Sequence, residues 1–216
     1  MDEIYHCFFE LVTMYAPEMD VVISDDGVAR CFWGDGPSIY RRYHDAEWGM
    51  PVGDDRLLFE KLCLEGFQAG LSWLTILERR EGFRSAFYGF DIESVAAMGK
   101  SDVDRLVSDT GIIRHRGKIE ATIDNARKTL DVIAELGSLA ALIWTYEPNR
   151  PTPIRDATTP ESTALAQDLK KRGFSFVGPT TMHAFMQAMG LVNDHFSECH
   201  ARDRVAAARR SFVRPA

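Results

Sequence analysis

The run Gly111-Ile112-Ile113-Arg114-His115-Arg116-Gly117-Lys118-Ile119 sits between two stretches of helical apolar spacing, 102–109 before it and 117–136 after it. Two glycines bracket the turn. Glycine lets backbone N–H groups approach a phosphate, and the second helix adds the positive end of its dipole. Arg114, Arg116, Lys118, Arg127 and Lys128 supply positive charge, opposed within 111–128 only by Glu120 and Asp124. A helix-hairpin-helix grips DNA in this way, through phosphate contacts that position the protein without reading sequence. The competing reading is an ordinary helical corner with a solvated basic face. A second basic run, Lys170-Lys171-Arg172, fits a helix C-terminus, where cations complement the dipole.

Outward from the turn, helical patterns cover roughly 54–68, 73–88 and 92–99 on one side and 138–146, 160–172 and 180–190 on the other. Ile4, Phe8, Leu11, Val12 and Tyr15 predict a further amphipathic helix over 2–15. Residues 16–30 look irregular, and 31–53 are rich in Gly, Pro and aromatics without a long period. Ser101 with Asp104 resembles a capping arrangement, Thr159-Pro160 a cap before an N1 proline, and Gly173 and Gly190 close their helices. The stretch Pro148–Pro153 reads as a loop or lobe boundary. The fold class is all-α, with a short irregular β element near Cys31.

The chain of 216 residues is 45% hydrophobic, enough for a sizeable core in one domain or two lobes. No apolar run approaches the ~20 residues of a membrane helix. Met1 to Glu3 is acidic and lacks the basic leader of a signal peptide, so cytoplasmic residence is expected. Cys7, Cys31, Cys63 and Cys199 are too sparse for a secreted disulfide framework and suit reduced thiols or metal ligands. The net charge is −7, but residues 1–29 hold seven acids and no Lys or Arg. Setting them aside leaves 25 acids against 25 bases, so a local basic patch is compatible with binding phosphate.

Cys31 and His44 lie in the irregular segment, and His195 and Cys199 form an H-x3-C pair just after a predicted helix. Residues four apart on a continuing helix share a face. Two thiolates and two imidazoles suit tetrahedral Zn²⁺, and a full shell of four points to a structural ion. His200 is an alternative ligand, and a chance pairing of neighbours is the plain alternative to any metal. Cys63, in Leu62-Cys63-Leu64, reads as a buried small hydrophobe.

Trp33, Tyr40, Tyr43, Trp48 and Trp73 crowd a region that also contains Glu65, in Leu64-Glu65-Gly66-Phe67-Gln68-Ala69-Gly70-Leu71-Ser72-Trp73. A carboxylate among apolar neighbours is expensive to bury without partners. It can accept hydrogen bonds from a purine amine, and flat rings can sandwich a flipped base. Core packing for the rings, and a cap or arginine pair for Glu65, are the ordinary alternatives.

These segments resemble the DNA-3-methyladenine glycosylase I family of the helix-hairpin-helix superfamily. The likeness is carried by Arg30-Cys31, Tyr43-His44-Asp45-Ala46-Glu47-Trp48-Gly49, the 64–73 and 111–119 runs, Lys170-Lys171-Arg172-Gly173-Phe174, Phe185-Met186-Gln187-Ala188 and Gly190-Leu191-Val192-Asn193-Asp194-His195. They span about residues 30–200 in the family's order. The resemblance implies a helix-hairpin-helix lobe over about 54–146 and a small zinc-binding lobe built from about 30–53 and 147–205. An acidic extension at 1–29 and a tail at 206–216 flank the glycosylase domain. It implies structural Zn²⁺ on Cys31, His44, His195 and Cys199, and a base pocket of Trp33, Tyr40, Tyr43, Glu65 and Trp73. Gly70 and Leu71 would meet DNA and fill the gap left by the flipped nucleotide, with Gly111, Arg114, Arg116, Gly117 and Lys118 on the backbone. The acidic stretch ahead of Arg30 departs from the family pattern.

The implied reaction is monofunctional hydrolysis of the N-glycosidic bond in double-stranded DNA carrying N3-methylated adenine. Free 3-methyladenine is the product, Glu65 is the catalytic candidate, and the enzyme is expected to be a monomer. Two rival readings are a non-catalytic DNA-binding module and a zinc hydrolase or deaminase. The absence of any C-x-x-C argues against the deaminase, whose signature requires one.

Overall fold

The computed structural model describes residues 20–149 and 155–215. The helix expected over 2–15 and Cys7 lie outside them. The described chain is predominantly helical, with a single two-stranded sheet among the described residues.

That sheet pairs β1 (Val21–Ile23) with β2 (Ala29–Cys31) antiparallel, Val21 opposite Cys31. It realises the β element expected near Cys31 and begins inside the stretch read as irregular. A 3₁₀ turn at Phe32–Gly34 leads to α1 (Ser38–Ala46), a helix inside the segment that showed no period.

The centre is α2 (Asp55–Gln68), in which Leu58 through Phe67 are all buried. Asp54 caps it by accepting from the Leu57 N–H at 2.9 Å. Around it pack α3 (Trp73–Glu78), α7 (Arg116–Leu136), α8 (Leu139–Trp144) and α10 (Pro179–Ala188). The expected 73–88 helix is broken at Arg79, where α4 (Arg80–Ala86) begins. A 3₁₀ turn at Tyr88–Phe90, α5 (Ile92–Ala96) and α6 (Lys100–Leu106) follow. α6 starts earlier than Ser101–Asp104 suggested: Asp102 accepts from the Gly99 N–H at 3.0 Å and sets the cap there. Thr159 caps α9 (Pro160–Lys171) as expected, accepting from Ser162 N–H at 3.1 Å. α11 (Arg202–Ser211) is the basic terminal helix and runs through position 206.

The turn between α6 and α7 docks on α4 by close backbone approach. A Cβ on Gly82 would come within 2.3 Å of the Gly111 carbonyl oxygen, so only glycine fits there. His115 caps α7, its Nδ1 accepting from the Lys118 N–H at 3.2 Å.

Candidate functional site

Two groups of side chains draw on distant parts of the chain. The first joins Cys31 at the end of β2, His44 near the end of α1, and His195 and Cys199 between α10 and α11. All four are buried, with ligand atoms within 4.8 Å of one another. Cys199 Sγ is 3.6 Å from His44 Nε2 and 3.4 Å from His195 Nδ1, and Cys31 Sγ is 3.6 Å from His195 Nδ1. The outer ring nitrogens are held from behind. His44 Nδ1 donates to Asp45 at 2.8 Å, and His195 Nε2 donates to the Trp48 carbonyl at 3.0 Å. Each imidazole therefore turns a lone pair inward, as a metal-ligating histidine does. Close approach lets the His44 ring lie there: a Cβ on Gly34 would stand 2.4 Å from it.

A hydrogen bond between the two thiols pushes Cys31 up and holds Cys199 well below the usual thiol range. Two sulfurs and two lone-pair nitrogens facing one point are the donor set of a tetrahedral soft-to-borderline cation. His200 does not join this set. Its Nε2 donates to Asp45 at 2.9 Å, and Asp45 also receives the Arg30 guanidinium at 2.7 Å. Cys63 is buried away from the group, and burial pushes its thiol up.

The second group surrounds a cavity of about 660 Å³, within the range of small-ligand sites. Trp33, Tyr40, Tyr43, Glu65 and Trp73 all line it, and Trp48 shares its wall. Trp33 meets Tyr40 edge-on with centroids 5.8 Å apart, and Tyr43 is tilted against Trp73 at 5.2 Å. Ser72 caps α3, accepting from the Thr75 N–H at 3.2 Å, and so fixes Trp73 on the first turn. The indole Nε1 of Trp73 is buried without a hydrogen-bond partner among the described residues. Burial first, and the Glu65 charge second, push the Tyr40 and Tyr43 phenols above their ordinary range, so both remain donors at neutral pH.

Glu65 is 5% exposed, on the face of α2 that borders the cavity. Its Oε1 lies 2.7 Å from Nζ of Lys61, one turn earlier on α2. Sequence reasoning missed Lys61, although a Lys–Glu pair four residues apart is a recognisable helical ion pair. It also missed Gln68, His183 and Asp194, which border the same cavity. Asp194 lay inside a motif already noted, and its Oδ2 accepts from Gln187 Nε2 at 3.0 Å.

The hairpin residues divide. Arg114 and Arg116 are exposed, Arg116 pairing with Asp104 at 2.8 Å. Lys118 is buried, and its ammonium donates to the carbonyls of Phe67 at 2.9 Å and Ala69 at 2.6 Å, capping the end of α2. Gly70 and Leu71 follow directly, both exposed. Phe176, also exposed, lies nearby with its ring 6.5 Å from that of His115. No helix among the described residues is long and apolar enough to cross a membrane.

Residues 33–203 match the sequence profile of the family described as methyladenine glycosylase. The chain is 50% identical over 178 residues to DNA-3-methyladenine glycosylase 1 of Escherichia coli K12, covering 79% of this chain and 95% of that protein. The crystal structure of a 3-methyladenine DNA glycosylase I superposes with a TM-score of 0.75 at 49% identity, over 80% of this chain and 99% of the other. A Staphylococcus aureus glycosylase I structure, described as showing the basis of 3-methyladenine recognition, superposes at 0.76 with 38% identity, over 80% and 96%. Sequence and fold point to the same relatives, and the chain belongs to the methyladenine glycosylase family.

Proposed function

We propose that the protein acts in base excision repair as a DNA-3-methyladenine glycosylase, releasing 3-methyladenine from alkylated DNA. The observation that carries this reading is the convergence of Trp33, Tyr40, Tyr43, Glu65 and Trp73 on one cavity of about 660 Å³. Methylation at N3 makes the adenine cationic and weakens the bond from N9 to C1′. When that bond breaks, its electron pair returns to the ring and the base leaves neutral. Water adds its oxygen to C1′ and gives up a proton to solvent. The protein's task is to hold the base out of the helix.

An extrahelical cation stacked on Trp73 or Tyr43 gains about 0.5–2 kcal/mol. Glu65 accepts from the edge of the purine. Because Lys61 lies 2.7 Å from Glu65, the pair carries little net charge. Selection of a cation therefore rests more on the rings, and selection of adenine more on hydrogen-bond geometry. Among the described residues no lysine lines the cavity, in keeping with a monofunctional hydrolase without lyase chemistry.

The α6–α7 turn serves as the helix-hairpin-helix, with Arg114, Arg116 and the backbone at Gly111 and Gly117 on the phosphates of double-stranded DNA. Leu71, carried beside Gly70 on the loop that Lys118 anchors, fills the space of the flipped nucleotide. Cys31, His44, His195 and Cys199 would hold Zn²⁺ and so tie the N-terminal and C-terminal segments into one small lobe. A set of two thiolates and two imidazoles is that of a structural ion, which would supply stability. The enzyme works as a cytoplasmic monomer.

Incubation with methylated duplex DNA tests the proposal. Release of 3-methyladenine with 7-methylguanine retained, and weaker release by E65Q and W73A, is the expected outcome. Binding of DNA with no base released would reduce the protein to a non-catalytic relative.

A further inference from the structure

α2 buries three charged side chains in succession, Glu60, Lys61 and Glu65. Glu60 reaches outward to Arg84 at 2.8 Å, but Lys61 stays inside. A buried ammonium costs several kcal/mol unless its surroundings compensate it. Here each contact involves a wall of the base cavity. Nζ of Lys61 is 2.7 Å from Glu65 Oε1, donates to the Tyr43 hydroxyl at 2.8 Å, and stands 3.4 Å from the centroid of the Trp73 ring.

Lys61 does not line the base cavity itself. It borders a second cavity of about 210 Å³, which shares Tyr43 and Trp73 with the first and is closed partly by the Glu47–Arg80 pair. Lys61 thus stands behind the wall, with Trp73 and Tyr43 common to both sides. One face of Trp73 is occupied by this cation, so a base must stack on the other face. The Tyr43 oxygen accepts from Lys61, which leaves the phenol hydrogen for a different acceptor. A cation behind the wall also repels a cationic base, so its presence calls for an offsetting gain.

We infer that Lys61 is a positioning residue for base release: it aims the Glu65 carboxylate and orients the Tyr43 hydroxyl from behind the cavity wall. This rests on the function proposed above. The gain is a fixed hydrogen-bonding edge; the cost is part of the electrostatic attraction for the lesion. Burial depresses the Lys61 amine below the usual lysine range, and the charge and hydrogen bond of Glu65 oppose that.

Other ionisable groups also face Glu65. Tyr40 and Tyr43 lie on α1, His183 and Asp194 border the cavity, and Arg155 and Asp156 stand near them. All persist when Lys61 alone is changed. The test is therefore single-turnover release by wild type, K61M and K61Q, with E65Q made in each background and the melting temperature taken beside each rate. With the carboxylate no longer held by the ammonium, K61M and K61Q should both release base more slowly than wild type. E65Q should then cost fewer fold in K61M than in wild type, by a coupling factor of at least about twofold.

K61Q keeps a polar group of similar reach, so agreement between the two variants separates charge from packing. Were one variant to misfold, the other carries the measurement. Release rates that match wild type, or an equal fold-loss for E65Q with and without Lys61, would make Lys61 a structural filler and overturn the inference. A wild type that releases no base would instead refute the functional reading beneath it.

Discussion

Replacing Lys118 by methionine separates two roles for one positive charge in the hairpin. A phosphate-binding lysine contributes affinity that falls with salt. The structure turns this ammonium inward instead, onto the carbonyls of Phe67 and Ala69 at 2.9 and 2.6 Å. Hydrogen bonds from a charged donor contribute roughly 1.5–3 kcal/mol each, and leaving a buried acceptor unpaired costs about 1–3 kcal/mol. Ala69 is exposed, so water replaces that bond at little cost, and the loss concentrates on the buried Phe67. Burial depresses the Lys118 amine, so removing the ammonium also relieves some desolvation. The net cost of K118M is then about 2–3 kcal/mol, or roughly 4–12 °C in Tm for a chain of this size. Urea melts and DNA titrations over a range of salt read both effects. The expected result is lower stability, a loosened Gly70–Leu71 loop with slower base release, and an unchanged salt slope. Unchanged stability with a slope reduced by about 0.9 would restore Lys118 to the phosphates and refute the capping argument.

Arg114 is exposed and makes no ion pair among the described residues, so R114A should weaken DNA binding, lower the salt slope by about one, and leave the melting temperature unchanged. Removal of the metal by a chelator under mild denaturant should lower the melting temperature by several degrees, and H195A should melt low with or without added Zn²⁺; full thermal stability after removal would exclude a structural ion. Hydrogen bonds from Arg30 lower Asp26 to about 2. Its native pKa is thus below the unfolded value, so its stabilisation is present above about pH 4 and is lost as pH falls toward 2. D26N should melt below wild type at pH 7 and match it near pH 2.

What was legible in the sequence follows the physics of each segment. α2 and α7 declared themselves because their length and apolar spacing leave few alternatives. α1 did not. Its nine residues carry Tyr40, Tyr43 and His44, so the positions that would show an apolar stripe are given to the two sites. The break at Arg79 was hidden because α3 and α4 keep the same apolar rhythm across it. The Cys/His group that could hold a metal was visible as residue types, and the fold brings Cys31, His44, His195 and Cys199 together while leaving His200 on Asp45. Lys61 was overlooked because a lysine in an amphipathic helix is expected on the wet face, whereas α2 is buried almost all round. His183 and Asp194 reach the cavity through the packing of α10 on α2, which local pattern does not encode.

The most direct test of the central claim is a crystal structure of this protein with 3-methyladenine bound. The base should lie in the cavity against the face of Trp73 opposite Lys61, with its hydrogen-bonding edge on Glu65. Density for the base at another surface, with that cavity filled only by water, would contradict the account.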